Sequence, residues 1–253
     1  MILLLSPAKT IETGKTPDNL KYTEPRFTAQ AQKLMKVLQK LKGQQLQQLM
    51  DISEALADLN VQRNNVWGTS EAETGMAVYS FNGEVYRGMN VNTWSKKDLE
   101  YAKEHLIILS GLYGMLKPTD AIHPYRLEMG TKLKVDKNHD GLYNFWSETL
   151  TKTVLQMVNE SENCLVNLAS DEYFKVLRLE KKKVDIITPS FLDMKNGKYK
   201  MLTVYAKYMR GVMASWMIQN KVRDRKTLFT FKENNYSLHP ELSTDMKPVF
   251  TRG

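Results

Sequence analysis

The chain has 253 residues, 42% of them hydrophobic and 25% charged, with one cysteine and a formal net charge of +8. That balance supplies a packed core and excludes a disordered or low-complexity chain, while a lone thiol excludes an internal disulfide. No run is long and apolar enough to span a membrane. The short apolar opening, Met1 to Leu5, lacks a basic start and a small-residue cleavage site, so a cytoplasmic protein without a secretory signal is expected.

In chain order, Ile2 to Leu5 reads as a buried strand running into Ser6-Pro7-Ala8-Lys9-Thr10. Phe27, Ala31, Leu34, Leu38 and Leu41 follow helical spacing, with Lys33, Lys36 and Lys40 opposite, and Gly43 is placed to stop that helix. Asp51, with Glu54 three residues on, predicts the N-cap of a helix from Ile52 to Leu59. Short helices joined by tight turns over residues 25–66 resemble a helix-hairpin-helix element, although the glycine usual in that hairpin is absent between Met50 and Ser53. Asn82-Gly83, between Met76–Phe81 and Glu84–Tyr86, predicts a hairpin with a type I′ turn. A helix is expected over Lys96 to His105, then a fully buried strand over Leu106 to Leu109. Gly141 to Asn159 reads as an amphipathic helix and Leu165 to Leu168 as another buried strand. Val184 to Ile187 and Tyr199 to Tyr205 are further strands, followed by a helix from Ala206 to Val222. Thr227 to Lys232 and Lys247 to Thr251 are expected to close the sheet. No linker or repeat divides the sequence. The expectation is one domain over 1–253, α/β with mixed α+β character, built as a mixed sheet covered by helices.

The charge is not spread evenly. Residues 175–226 hold 14 Lys and Arg against four acids, whereas the remaining residues hold 22 basic and 24 acidic side chains. A one-sided basic surface suits a polyanion partner, although Lys181, Lys182 and Lys183 also read as a solvated turn.

Three buried strands end in small and polar residues: SPAKT at 6–10, SGLYG at 110–114 and NLASDEY at 167–173. If those strands are parallel neighbours, a site is expected outside their carboxyl ends. Ser110 and Gly111 there can offer a polar turn and close backbone approach to an anion. Lys9 is a point-charge partner for phosphate. Arg126 and Glu128 point the same way in an extended segment, and the Arg126 fork suits phosphate or carboxylate, or an internal ion pair. Lys207 and Arg210 share a helical face among tyrosines, a combination that stacks bases and holds phosphates. Glu128, Asp171 and Glu172 are candidate catalytic carboxylates, and Asp171-Glu172 equally suits a helix start. The histidines His105, His123, His139 and His239 show no metal-ligand spacing, so neither metal nor cofactor is expected. Cys164, in an apolar run, reads as a buried thiol.

Ser6-Pro-Ala-Lys-Thr10, Ser110-Gly-Leu-Tyr-Gly114, Pro124-Tyr-Arg-Leu-Glu-Met-Gly130, Asn167-Leu-Ala-Ser-Asp-Glu-Tyr173 and Ala206-Lys207 with Arg210-Gly211 together resemble the YaaA peroxide-stress protein family. The likeness extends to Leu49-Met50, Ile52-Ser53 and Phe191-Leu192-Asp193. It implies a bacterial cytoplasmic protein that limits oxidative damage to DNA and protein by lowering unincorporated iron. It also implies double-stranded DNA binding through a positively charged cleft and a helix-hairpin-helix-like element, in an unusual α/β fold. By that analogy DNA phosphates would meet Lys9, Arg126, Lys207 and Arg210. The alternative reading is an enzyme acting on a nucleotide, nucleobase or other phosphorylated small molecule.

Overall fold

The structure is a computed structural model that describes residues 1–161, 164–179 and 184–253. Strand β1 (Ile2–Leu5) is wholly buried, and β2 (Thr10–Ile11) follows the SPAKT segment. Three helices come next: α1 (Thr28–Leu38), α2 (Gly43–Met50) and α3 (Glu54–Val66). Gly43 therefore opens a helix and does not stop one. Asp51 ends α2 in the left-handed region (φ 51°), and Ser53 caps α3 by accepting from the Leu56 N–H at 3.4 Å. The cap thus falls on Ser53, since Asp51 is committed to turning the chain.

The Asn82-Gly83 hairpin is not formed. Instead β3 (Gly75–Met76) leads into one helical turn, α4 (Ala77–Ser80), then β4 (Phe81–Asn82), which pairs antiparallel with β2. Gly83 is extended, not left-handed, and leads into α5 (Glu84–Met89). The reason is tertiary: residues 84–89 are needed as a helix against a later one, so the turn preference is overridden.

The central elements follow the sequence pattern. Helix α6 (Lys96–His105) starts on a Ser95–Asp98 capping box, and β5 (Leu106–Ser110), β6 (Gly114–Leu116) and β7 (Ala121–Ile122) follow. Helix α7 (Leu142–Asn159) buries Trp146, Leu150, Val154 and Val158. After it come β8 (Cys164–Asn167), the one-turn α8 (Asp171–Phe174) and β9 (Asp185–Ile187).

The main sheet has the order β6-β5-β1-β8-β9, with β1 parallel to both β5 and β8. Leu4 lies opposite Ile107 on one side and Asn167 on the other. The three strands identified from sequence are therefore parallel neighbours, and their carboxyl ends share one edge.

The late strands build a second sheet and do not close the first. It comprises β10 (Ser190–Lys195), β11 (Lys198–Lys200), β12 (Lys232–Glu233), β13 (Tyr236–Leu238) and β14 (Val249–Arg252), ordered β11-β10-β14-β13-β12. Two tight hairpins, β10–β11 and β12–β13, flank β14 in it, each with both turn residues at positive φ: Asn196-Gly197 (55°, 72°) and Asn234-Asn235 (50°, 64°). Helix α9 (Thr203–Gln219) begins earlier than expected, which makes Tyr205 helical. Asp224 caps α10 (Arg225–Leu228) through the Thr227 N–H at 2.8 Å, so the strand expected from Thr227 is limited to β12. Phe191, Phe231, Tyr236 and Phe250 of this second layer belong to the same apolar cluster as the main sheet. The overall class is mixed α/β, with helices against mixed sheets. Among the described residues, no helix is long and apolar enough to cross a membrane.

Candidate functional site

Because β1 and β8 lie side by side, the segments that leave them are tied together directly. The Ser6 hydroxyl donates to Ser170 Oγ at 3.2 Å and accepts from the Ser170 N–H at 2.9 Å, and Leu168 N–H donates to Leu4 O at 3.0 Å. Around this join opens a concave pocket of about 500 Å³. Its wall includes Lys9 from the SPAKT segment, Arg126 and Glu128 from the extended segment, Glu172 from α8, and Lys207 and Arg210 from α9. Its size falls in the range of small-molecule sites.

The SGLYG segment supports the pocket from behind. Ser110 is fully buried; its Oγ accepts from the Tyr113 N–H at 2.9 Å and pairs with the Tyr125 hydroxyl at 2.6 Å. A Cβ on Gly111 would stand 2.2 Å from Leu127 O, so only glycine lets the backbone of residues 125–128 lie this close. Trp146 Nε1 donates to Gly111 O at 2.9 Å and fixes the bed from the other side. Ser110 and Gly111 thus set the height of the strip that presents Arg126 and Glu128, while their own polar groups are turned to the interior.

On that strip, Glu128 joins two cations. Lys9 Nζ lies 2.8 Å from one carboxylate oxygen and Arg126 Nη2 lies 3.4 Å from the other. Arg126 Nε is buried and has no hydrogen-bond partner among the described residues. A buried donor left unsatisfied in a pocket wall is a place where a ligand oxygen would lower the free energy. Arg210 is largely buried. Burial draws its pKa down and the nearby Asp171 charge draws it back up, and a guanidinium stays charged throughout.

The candidate carboxylates divide. Glu128 faces the pocket between its cations. Glu172 lines it too, but its Oε1 accepts the Gly130 N–H at 2.8 Å and so pins the far end of the extended strip. Asp171 is exposed at the first position of α8, in keeping with a helix-start role, and acts on the site through the charge it sets beside Arg210.

Sequence reasoning did not single out three tyrosines in the lining, Tyr86, Tyr125 and Tyr173. All are buried, and burial raises each phenol well above its ordinary range, so they stand neutral; Tyr125 adds to the rise of Tyr86 and Tyr173, while the Ser110 hydrogen bond works against that of Tyr125. Tyr86 OH donates to Ser6 O at 3.0 Å, which holds α5 to the SPAKT turn. Tyr125 and Tyr173 lie inside the PYRLEMG and NLASDEY segments, whereas Tyr86 lies in α5, where the Asn82-Gly83 pattern suggests a strand. Lys181, Lys182 and Lys183 lie outside the described residues. Cys164 is buried, and among the described residues no group of three or more His, Cys, Asp and Glu side chains is placed to hold a metal ion.

A family model described as "Peroxide stress protein YaaA" matches residues 1–242, which takes in every segment of this pocket. The chain therefore belongs to that peroxide stress family.

Proposed function

We propose that the protein serves the peroxide response by binding DNA, holding backbone phosphates at this pocket without reading base sequence, and thereby helps limit iron-driven oxidative damage. The observation that supports this reading is the convergence of Lys9, Arg126, Lys207 and Arg210, from three distant chain segments, on one concavity. Charge-assisted contacts of this kind suit phosphate oxygens, and the orphaned Arg126 Nε offers one donor more. The basic stretch at 175–226 contributes Lys207 and Arg210, and its excess of positive charge suits a polyanion partner.

Fluorescence anisotropy with duplex and branched DNA at several salt concentrations tests the reading. Binding is expected to weaken steeply with salt, with a log–log slope of roughly −0.9 per phosphate contact. Lys207→Ala and Arg210→Ala should each lower affinity for all sequences alike. No binding at low salt, or affinity indifferent to salt, would refute it.

A second reading, catalysis on a phosphorylated small molecule, is favoured by one observation. The pocket is a concavity of about 500 Å³, within the range of small-molecule sites, and it holds Glu128 in place between two cations. A Glu128→Gln protein that kept DNA affinity but lost peroxide protection would favour catalysis.

A further inference from the structure

Helix α9 has two working faces. Lys207 and Arg210 look into the pocket described above, while Val204, Tyr205 and Tyr208 border a second, smaller concavity of about 250 Å³. Glu84 lines both, so the two are adjacent, with α9 as the ridge between them.

The second concavity is built on a stack of rings and a guanidinium. Arg252 Cζ lies 4.7 Å from the Tyr205 ring centroid and 4.8 Å from that of Tyr236. The guanidinium is fixed from below, with Nε donating to the buried Asp193 at 2.7 Å, and the same carboxylate accepts the Tyr236 hydroxyl at 2.7 Å. Tyr236 is fully buried, yet Tyr205, at the outer end of the stack, is 47% exposed. An aromatic ring braced in this way loses little conformational freedom when something stacks on it. Arg87 stands in the same lining, paired at 2.7 Å with Glu84, and Lys198 and Lys200, outside that lining, are exposed on the hairpin before α9. A flat, exposed aromatic ring beside a pocket lined by Lys207 and Arg210 fits a nucleotide strand: the ring takes a base and the cations of the adjoining pocket take the backbone.

We propose that Tyr205 is a stacking platform for an unpaired base of single-stranded DNA, whose adjoining phosphates enter the neighbouring pocket at Lys207 and Arg210. This rests on the phosphate-binding reading above and sharpens it, because a base can reach Tyr205 only when it is not paired. The protein then prefers single-stranded or gapped DNA to an intact duplex of equal length.

The test is anisotropy titration of a labelled single-stranded oligonucleotide and its duplex, with wild type, Tyr205→Ala, Tyr205→Trp and Lys207→Ala, alongside thermal melting of each protein. A 2-aminopurine oligonucleotide reports stacking directly by quenching. Tyr205→Ala is expected to weaken single-strand binding roughly 10-fold and to abolish the quenching, at unchanged Tm, while Tyr205→Trp retains both. Lys207→Ala should weaken single strand and duplex alike. Should Tyr205→Ala bind the single strand as wild type does while Lys207→Ala is impaired, the platform is refuted and the phosphate reading stands. If wild type binds neither DNA, both fail. If Tyr205→Ala instead abolishes self-association seen by sedimentation, with oligonucleotide affinity intact, the patch is a contact between copies and the proposal is overturned.

Discussion

Gly211→Ala should loosen the pocket by forcing apart the two helices that frame it. A Cβ built on Gly211 would stand 1.7 Å from Val85 O and 2.7 Å from Met89 N, and one on Gly88 would stand 2.0 Å from Tyr208 O. Helices α5 and α9 therefore touch backbone to backbone, with no flexible side chain between them to yield. Ordinary van der Waals contact begins at 3.4 Å, so α9 must retreat well over an ångström or tilt. Overpacking of this sort costs about 1–3 kcal/mol, and a clash with backbone belongs at the upper end. The added methyl favours the helical state by about 0.8–1.0 kcal/mol, leaving a net loss of about 2 kcal/mol. For a chain of this size that lowers Tm by roughly 4–8 °C. Scanning calorimetry of Gly211→Ala and Gly88→Ala measures it, with Gly141→Ala as a control, since nothing stands within 4 Å of a Cβ there. Ligand affinity should fall as well, because Lys207 and Arg210 travel with α9. A Gly211→Ala protein that melts at or above the wild-type temperature would refute the packing argument.

Burial raises the Asp120 carboxyl from 3.8 to about 6, against hydrogen bonds from Thr23 and the Lys117 N–H that favour its charged form. The folded state therefore holds its proton longer than the unfolded chain does, and the stability tied to this group declines as pH rises from about 4 to 6. Urea midpoints across that window should fall with pH more steeply in wild type than in Asp120→Asn; parallel curves would dismiss the group as a contributor. Asp193→Ala leaves the Tyr236 hydroxyl and the Arg252 guanidinium without their shared acceptor. A loss of about 2–3 kcal/mol is expected from the shift of the urea unfolding midpoint, and a shift under 0.5 kcal/mol would contradict it.

The buried strands and the segments that end them are legible in the sequence because their cause is local. A short run such as Leu106–Leu109 has no way to be half-exposed, and residues such as Ser170 and Asp171 favour the helix start that follows a strand. The same dipeptide shows where local reading stops. Asn196-Gly197 forms a tight hairpin with both residues at positive φ, while Asn82-Gly83 does not. The first joins two strands with nothing else competing for them. The second precedes residues whose place against α9 depends on Gly88 and Gly211, more than 100 positions apart, a contact with no signature within any short window. The site divides in the same way. The charges at Lys9, Arg126, Lys207 and Arg210 were legible as residue types. That Ser110 and Gly111 would form the bed beneath Arg126 required knowing which backbone crosses which.

The position of β1 sets a timetable. Strand β1 lies in the middle of its sheet, and its partners Leu106–Ser110 and Cys164–Asn167 come about 100 and 160 residues later in the chain. At ribosomal speeds of about 5–20 residues per second, the segment Ile-Leu-Leu-Leu of β1 waits on the order of 5–20 s for its first neighbour and longer for its second. For that interval an apolar strand with two open edges is exposed in a nascent chain, so this protein should depend on shielding during synthesis more than its final stability would suggest.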